Sequence, residues 1–207
     1  MDFSATDILL AITVGISLLC FNNSTLRNKL LHSPYLENQN KEYYRLLTSG
    51  FIHNDYWHLL INCVVIYSFG NVVELYYKSY LGPTTGLYLY LGLYLITIVA
   101  SDVFSYFKHA NNPSYAALGA SGTASGLLYS TILFSPWSKF SLYGIVPIPA
   151  IIFGFLYLAY ESYMSKKAMD NIGHDAHISG AIFGFIFTAI LVNDAFFDFF
   201  QKLLAGM

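Results

Sequence analysis

Ser121 and His177 are the side chains of this 207-residue chain best suited to chemistry. Each stands near the start of an apolar, membrane-length segment. Ser121 lies in Gly119-Ala120-Ser121-Gly122 and His177 in Ala176-His177-Ile178-Ser179-Gly180. A polar group at hydrocarbon depth costs free energy unless it finds a partner, so an imidazole there is expected to pair. A hydroxyl in a second, like-directed segment is a fitting partner, and a hydroxyl beside an imidazole is a nucleophile beside a general base. His58 and Asn62 stand four apart in another apolar segment, hence on one helical face. Both can donate hydrogen bonds. Acyl transfer needs such donors where the oxyanion forms, alongside the nucleophile's own backbone N–H. Ser121 lies near a helix start, where spare N–H groups and the positive end of the dipole also favour an anion.

The elements that must position these groups are membrane helices. The chain is 56% hydrophobic and 11% charged, with a mean hydropathy of +0.51. Soluble domains run near about 25% charged, so the composition is that of a polytopic membrane protein. The length suits one bundle of about six spans of roughly 20 residues each. The spans are drawn near 6–22, 56–77, 85–106, 116–134, 143–162 and 175–196. Breakers separate them at Gly82-Pro83, Asn111-Asn112-Pro113 and Ser135-Pro136. Pro147 and Pro149 are expected to distort the first turns of span five. The first segment lacks a basic leader, carrying Asp2 and Asp7 instead, and is read as a retained span rather than a signal peptide. Residues 23–55 form a long loop of mixed polarity that includes Tyr44, Arg45, Phe51 and Ile52, and it is expected to lie in or on the membrane surface. Residues 1–207 are read as one membrane domain. The net charge of −2 gives no footing for nucleic acid. Cys20 and Cys63 fall inside apolar segments and read as packing residues. No internal repeat supports an inverted-repeat transporter.

Consecutive spans alternate in direction, so spans two, four and six begin on the same side. His58, Ser121 and His177 all fall within about two turns of those starts, and a rise of about 1.5 Å per residue puts them at similar depth. Gly122-Thr123-Ala124-Ser125-Gly126 and Gly180-Ala181-Ile182-Phe183-Gly184 are both GxxxG patterns, which let helix backbones touch in lipid. Close contact between those two helices would bring hydroxyl and imidazole within hydrogen-bond reach. No acid completing a triad is evident, because Asp175 falls on roughly the opposite side of the helix from His177. A Ser–His dyad is therefore expected. His174 and His177 are three apart and could in principle ligate a metal, but span six offers no further ligand except Asp175, so neither metal nor cofactor is expected. Glu74 is expected to cap or pair at the far end of the bundle.

These residues resemble the rhomboid intramembrane serine proteases from about Tyr44 to Gly184. Gly119-Ala120-Ser121-Gly122 resembles the family's GxSG motif, and Ala176-His177-Ile178-Ser179-Gly180 with Gly184 resembles its AHxxGxxxG helix. His58-Leu59-Leu60-Ile61-Asn62 with Gly70 and Glu74 is similar to the HxxxN helix, and His53 fits a common family position. Tyr44-Arg45 stands where the family usually has Trp-Arg. The resemblance implies a six-helix bundle in which Ser121 is the nucleophile and His177 the base. It makes His58, Asn62 and the Ser121 N–H the oxyanion hole. It also implies a membrane-embedded first loop, a lateral gate formed by span five and the loop after it, and single-span proteins as substrates. Many members carry an aromatic four residues after the nucleophile. Here that position is Ser125, which leaves open what packs under His177.

Each residue also has a plainer reading. Ser121 alone suits a helix contact, and His58 with Asn62 suits a structural hydrogen-bond pair. The competing functions are a rhomboid-like protein that binds transmembrane clients without cutting them, and a small transporter. Charge distribution and the family resemblance imply opposite orientations. Loops one, three and five carry Arg27, Lys29, Lys41, Arg45, Lys108, Lys166 and Lys167, against Lys78, Lys139 and Lys202 on the other side. The positive-inside rule would put the Ser121 side in the cytoplasm. Bacterial six-span members of the family place it outside. The family orientation is adopted here, because Arg45 and its neighbours are expected to belong to a folded loop. Lack of a transit peptide favours a bacterial inner membrane as the location.

Overall fold

The computed structural model describes residues 3–142, 146–167 and 172–206. The first helix, α1 (Ala5–Phe21), opens on a reciprocal cap in which Ser4 Oγ accepts from the Asp7 N–H and the Asp7 carboxylate accepts from the Ser4 N–H. Two further donors at this end, the N–H groups of Ala5 and Thr6, go to the Glu74 carboxylate at 3.1 and 2.9 Å. Glu74 thus caps α1 from a neighbouring helix, as its place at the far end of the bundle suggested, and Lys78 Nζ neutralises it at 2.5 Å.

The long first loop folds into α2 (Ser24–Leu30), α3 (Pro34–Asn40), α4 (Arg45–Thr48) and one 3-10 turn, Ser49–Phe51. Its centre is Arg45, which is buried. The guanidinium donates to Glu42 Oε2 at 2.6 Å and to the carbonyls of Asn28 and Leu31 at 2.7 and 3.1 Å. A charge-assisted donor with several fixed acceptors ties three short pieces of chain together. Arg45 therefore belongs to a folded loop rather than to a free topogenic one.

Helices α5 (Tyr56–Leu81) and α6 (Pro83–Lys108) follow, separated by Gly82 at φ +84°. Then come α7 (Ser121–Phe134), a hairpin of β1 (Lys139–Leu142) and β2 (Val146–Pro149), α8 (Ala150–Lys167), α9 (His174–Leu191) and α10 (Asn193–Ala205). The arrangement is a helical membrane bundle. Among the described residues, Tyr56–Leu81, Pro83–Lys108 and His174–Leu191 are long and apolar enough to cross a bilayer, and Ala5–Phe21 is a shorter apolar helix. Its centre is α7, in which every residue from Gly122 to Phe134 is buried. A helix sheathed by others can be hydrophobic all round and short.

Several boundaries differ from those drawn on the sequence, and three of the differences have a local cause. The fourth span was drawn from 116, but α7 begins at Ser121, because Gly119 adopts φ +122° and ends an extended approach in which Ala117 pairs with His32. The fifth was drawn from 143, but its helix begins at Ala150. Pro147 and Pro149 force extended backbone on the residues before them and donate no ladder bonds, so Val146–Pro149 becomes a strand opposite Lys139–Leu142. Residues 143–145 of that span lie outside the described residues. The sixth was drawn to 196, but α9 ends at Leu191. The polar pair Asn193-Asp194 opens a separate amphipathic helix, α10, which packs Phe199 on Phe185. The loop after the fifth helix, part of the expected gate, falls on 168–171, also outside the described residues.

Candidate active site

Small residues decide how close α7 and α9 come. A Cβ on Gly180 would run into the carbonyl oxygen of Gly122, and one on Gly184 would fall 2.5 Å from Gly126 Cα. Both GxxxG patterns therefore face each other across a backbone-to-backbone contact. Lower down, Ser130 Oγ bonds the Gly126 and Gly184 carbonyls at 2.9 and 3.1 Å, which fixes the register of the two helices. With the axes this close, the first turns meet. His177 Nε2 lies 2.7 Å from Ser121 Oγ.

Ser121 is the first residue of α7, so its N–H has no partner within the helix. The turn that presents it hangs from the first loop. Gly119 N–H donates to the Ser49 carbonyl at 2.9 Å, and Ala120 N–H donates to His53 Nε2 at 3.3 Å. His53 Nε2 is thus the unprotonated nitrogen. Its Nδ1–H donates to Ser17 Oγ at 3.0 Å, and the Ser17 hydroxyl donates in turn to the Phe51 carbonyl at 3.0 Å. A chain of fixed donors runs from α1 to the Ser121 turn. Burial, and after it the neighbouring His58, pushes the His53 pKa down to about 3, so its ring is neutral at ordinary pH.

His58 packs on the same turn. A side chain at Gly119 would bring its Cβ within 2.7 Å of His58 Cε1, so only glycine admits the imidazole here. The His53 and His58 rings meet edge to face at 4.9 Å. Asn62 is buried one turn along α5, and one of its N–H groups donates to the His58 carbonyl at 2.9 Å. An amide carries two N–H donors, so the second is left for another acceptor.

Two residues that sequence reasoning missed complete the surroundings of His177, and both come from α8. The Tyr157 ring lies 6.4 Å from the imidazole with planes 24° apart. Its hydroxyl bonds Ser125 Oγ at 2.7 Å. Tyr157 therefore packs against the His177 ring, and the small Ser125 leaves room for it. One turn on, Glu161 Oε2 lies 2.6 Å from His174 Nδ1 and 3.1 Å from His177 Nδ1. The His174 contact is an aligned hydrogen bond; at His177 the N–H is off line with the oxygen. The carboxylate of span six, Asp175, turns away from His177, and span five supplies one that meets it. One signal was available, since an ionisable residue inside an apolar segment is a functional candidate by default. Asp175 points elsewhere, to Lys108 Nζ at 2.7 Å and to Ser165 Oγ.

Glu161, His174 and His177 offer three ligand atoms within 4.8 Å of one another. Two histidines and a glutamate are a donor set that zinc accepts, with bonds of about 2.0–2.2 Å. Separations of 2.6 and 3.1 Å are those of direct contacts between the side chains, closer than two ligands stand around a tetrahedral ion.

Residues 40–194 match the family model of the rhomboid domain. The chain is 30% identical over 172 residues to Rhomboid protease GluP of Bacillus subtilis, covering 80% of this chain and 29% of that protein. It is 24% identical over 159 residues to Rhomboid protease GlpG of Haemophilus influenzae, covering 76% and 74%. It is also 27% identical over 177 residues to RHOMBOID-like protein 12, mitochondrial, of Arabidopsis thaliana, covering 78% and 50%. The chain spans half or less of the length of GluP and of the mitochondrial relative.

Proposed function

The chain belongs to the rhomboid family, and we propose that it is an intramembrane serine endopeptidase that cleaves transmembrane segments of single-span membrane proteins. The observation that carries this reading is the 2.7 Å contact between Ser121 Oγ and His177 Nε2 on two helices locked together by glycines. A nucleophile within hydrogen-bond reach of a base, at the first turn of a buried helix, is the arrangement acyl transfer requires.

In this mechanism Ser121 Oγ attacks the scissile carbonyl while its proton passes to His177 Nε2. The new oxyanion takes hydrogen bonds from the Ser121 N–H, the His58 ring and the free N–H of Asn62. His177 then gives its proton to the leaving amine nitrogen, and the C–N bond breaks. Water, deprotonated by the same nitrogen, attacks the acyl-enzyme; the bond to Oγ breaks, His177 returns the proton to Ser121, and the second product leaves. The reacting groups are a Ser–His dyad. No metal or cofactor enters these steps.

In this reading the protein is one six-span domain in a bacterial inner membrane, with the N-terminus cytoplasmic and the site opening outward. The burial of Arg45 supports this orientation, because it removes one of the seven basic residues on the Ser121 side from the free-loop count. The 23–55 loop serves as a membrane-associated brace for the nucleophile turn.

Co-expression with a model single-span substrate tests the reading. Cleavage should occur, should disappear in Ser121→Ala and in His177→Ala, and a fluorophosphonate probe should label wild type but not Ser121→Ala. Cleavage that persists in either folded variant refutes it.

A further inference from the structure

We infer that Glu161 is a positioning residue for His177, holding the imidazole from behind so that Ser121, His177 and Glu161 act as one unit. The inference rests on the protease reading above and names a group that reading does not use.

Three observations converge on Glu161. The first is geometric. His177 touches Ser121 Oγ through Nε2 at 2.7 Å and Glu161 Oε2 through Nδ1 at 3.1 Å, so hydroxyl and carboxylate sit on the two nitrogens of one ring. The second is burial. The Glu161 side chain is 5% exposed in an otherwise apolar stretch of α8. A buried carboxylate is costly unless donors surround it. His174 Nδ1, at 2.6 Å, is one such donor, and it fixes Oε2 where His177 needs it. The third is the partner face. Tyr157, four residues before Glu161 and so on the same side of α8, lies along the plane of the imidazole. One face of α8 thus sets both the plane and the rear edge of the ring. Asp175, the acidic residue in the first turn of α9, is committed to Lys108 and Ser165 and cannot do this.

The chemistry follows from which proton moves. Glu161 accepts none. With the carboxylate behind Nδ1, the Nδ1–H tautomer is held and Nε2 is left free to take the Ser121 proton. The imidazolium formed in that step is stabilised by the adjacent negative charge. The Nδ1–H of His177 is off line with Oε2 at rest. Catalytic hydrogen bonds are often long or misaligned before substrate arrives and tighten as charge develops.

The test is the rate of fluorophosphonate labelling of Ser121 as a function of pH, which needs no substrate, in the full-length wild type, Glu161→Gln and Glu161→Asp. The cleavage kcat and KM are measured alongside. Glu161→Gln should lower kcat by about 10²–10⁴-fold with KM little changed, because the amide no longer favours the tautomer. The acidic limb of its pH–rate profile should differ from that of wild type, because the amide puts no charge behind the ring. Glu161→Asp keeps the charge and should label faster than Glu161→Gln. A merely structural role gives the reverse ranking, because glutamine is the closer fit in shape. That ranking, or rates and limbs equal to wild type within twofold, overturns the inference while the protease reading stands. A wild type that neither labels nor cleaves overturns both. If Glu161→Gln does not fold, Glu161→Asp against wild type decides. An unchanged rate and limb with the carboxylate retracted by one methylene overturns the inference, and a slower rate with KM preserved supports it.

Discussion

Tyr157 lies 6.4 Å from His177, nearly parallel to it, and reaches past it to bond Ser125 Oγ at 2.7 Å. The ring beside the imidazole thus belongs to α8, while the α7 position from which an aromatic would have come is a serine. The two sites are complementary, since a larger residue at 125 would fill the space Tyr157 occupies. Tyr157→Phe keeps the ring and loses the Ser125 bond. It should reduce cleavage only a fewfold, in keeping with about 1 kcal/mol for a hydrogen bond. Tyr157→Ala removes the surface that orients His177 and should cost at least about tenfold in kcat, beyond the loss of packing. Steady-state cleavage of both variants, with thermal unfolding as the control for folding, checks this. Equal rates in the two would mean the ring does not orient the base.

The α7–α9 contact leaves no room for a methyl group. Gly184→Ala places a Cβ 2.5 Å from Gly126 Cα and should cost about 1–3 kcal/mol of stability, as overpacking does, with the Ser121–His177 approach lost in parallel. Gly15→Ala in α1 meets nothing within 4 Å and should be neutral or slightly stabilising. Unfolding midpoints in detergent, read beside fluorophosphonate labelling, separate the two. A fully active, fully stable Gly184→Ala would show that the helices are not held at backbone contact.

His53 gives the Ser121 turn a pH dependence in stability. Its folded pKa of about 3 lies below the unfolded value of 6.5, so the unfolded chain binds the extra proton across that window. Stability from this residue is complete above pH 6.5 and is lost as pH falls towards 3, with a slope of up to about 1.4 kcal/mol per pH unit. His53→Gln keeps an acceptor for the Ala120 N–H but does not titrate. Its stability should be flatter than that of wild type between pH 6.5 and 4. Parallel stability–pH curves for the two proteins would contradict the assignment.

The proposed oxyanion donors separate in the same way. His58→Ala and Asn62→Ala should each lower kcat by about 10–10³-fold with little change in KM, since they act on charge that develops in the transition state. Asn62→Ala also removes the bond to the His58 carbonyl, so the double variant should lose less than the product of the two single losses. Multiplicative losses would show that the two donors act independently.

Glu74 serves the fold rather than the chemistry. Glu74→Gln weakens the cap on the Ala5 and Thr6 N–H groups and the pair with Lys78. It should lower stability by about 1–3 kcal/mol. Fluorophosphonate labelling of the folded fraction should be unchanged. A slowed reaction in stably folded Glu74→Gln would place it in the catalytic pathway instead.

The relative depth of His58, Ser121 and His177 was legible because it follows from span count and a fixed rise per residue. The closeness of α7 and α9 was legible in Gly122, Gly126, Gly180 and Gly184, because small residues four apart make a groove whatever surrounds them. Ser4 and Asp55 cap α1 and α5 through their side chains, and Pro83 stands at the first position of α6, where its missing N–H costs nothing. The break at Pro147 and Pro149 was visible as a disturbance, but its outcome as a strand depended on Lys139–Leu142 being near enough to pair.

Residue types and spacing were enough to put a hydroxyl and an imidazole at one level of a membrane bundle, because helical rise and alternating direction are properties of the chain itself. Which faces turn toward them is a property of packing. Tyr157 and Glu161 share a face by their spacing, yet nothing local says that this face of α8 meets His177 rather than lipid. The rotation of α8 about its own axis is set by contacts distant in sequence, such as the Tyr129 hydroxyl on the Gly154 carbonyl. Only the assembled bundle therefore decided that His177 has an aromatic beside it and a carboxylate behind it.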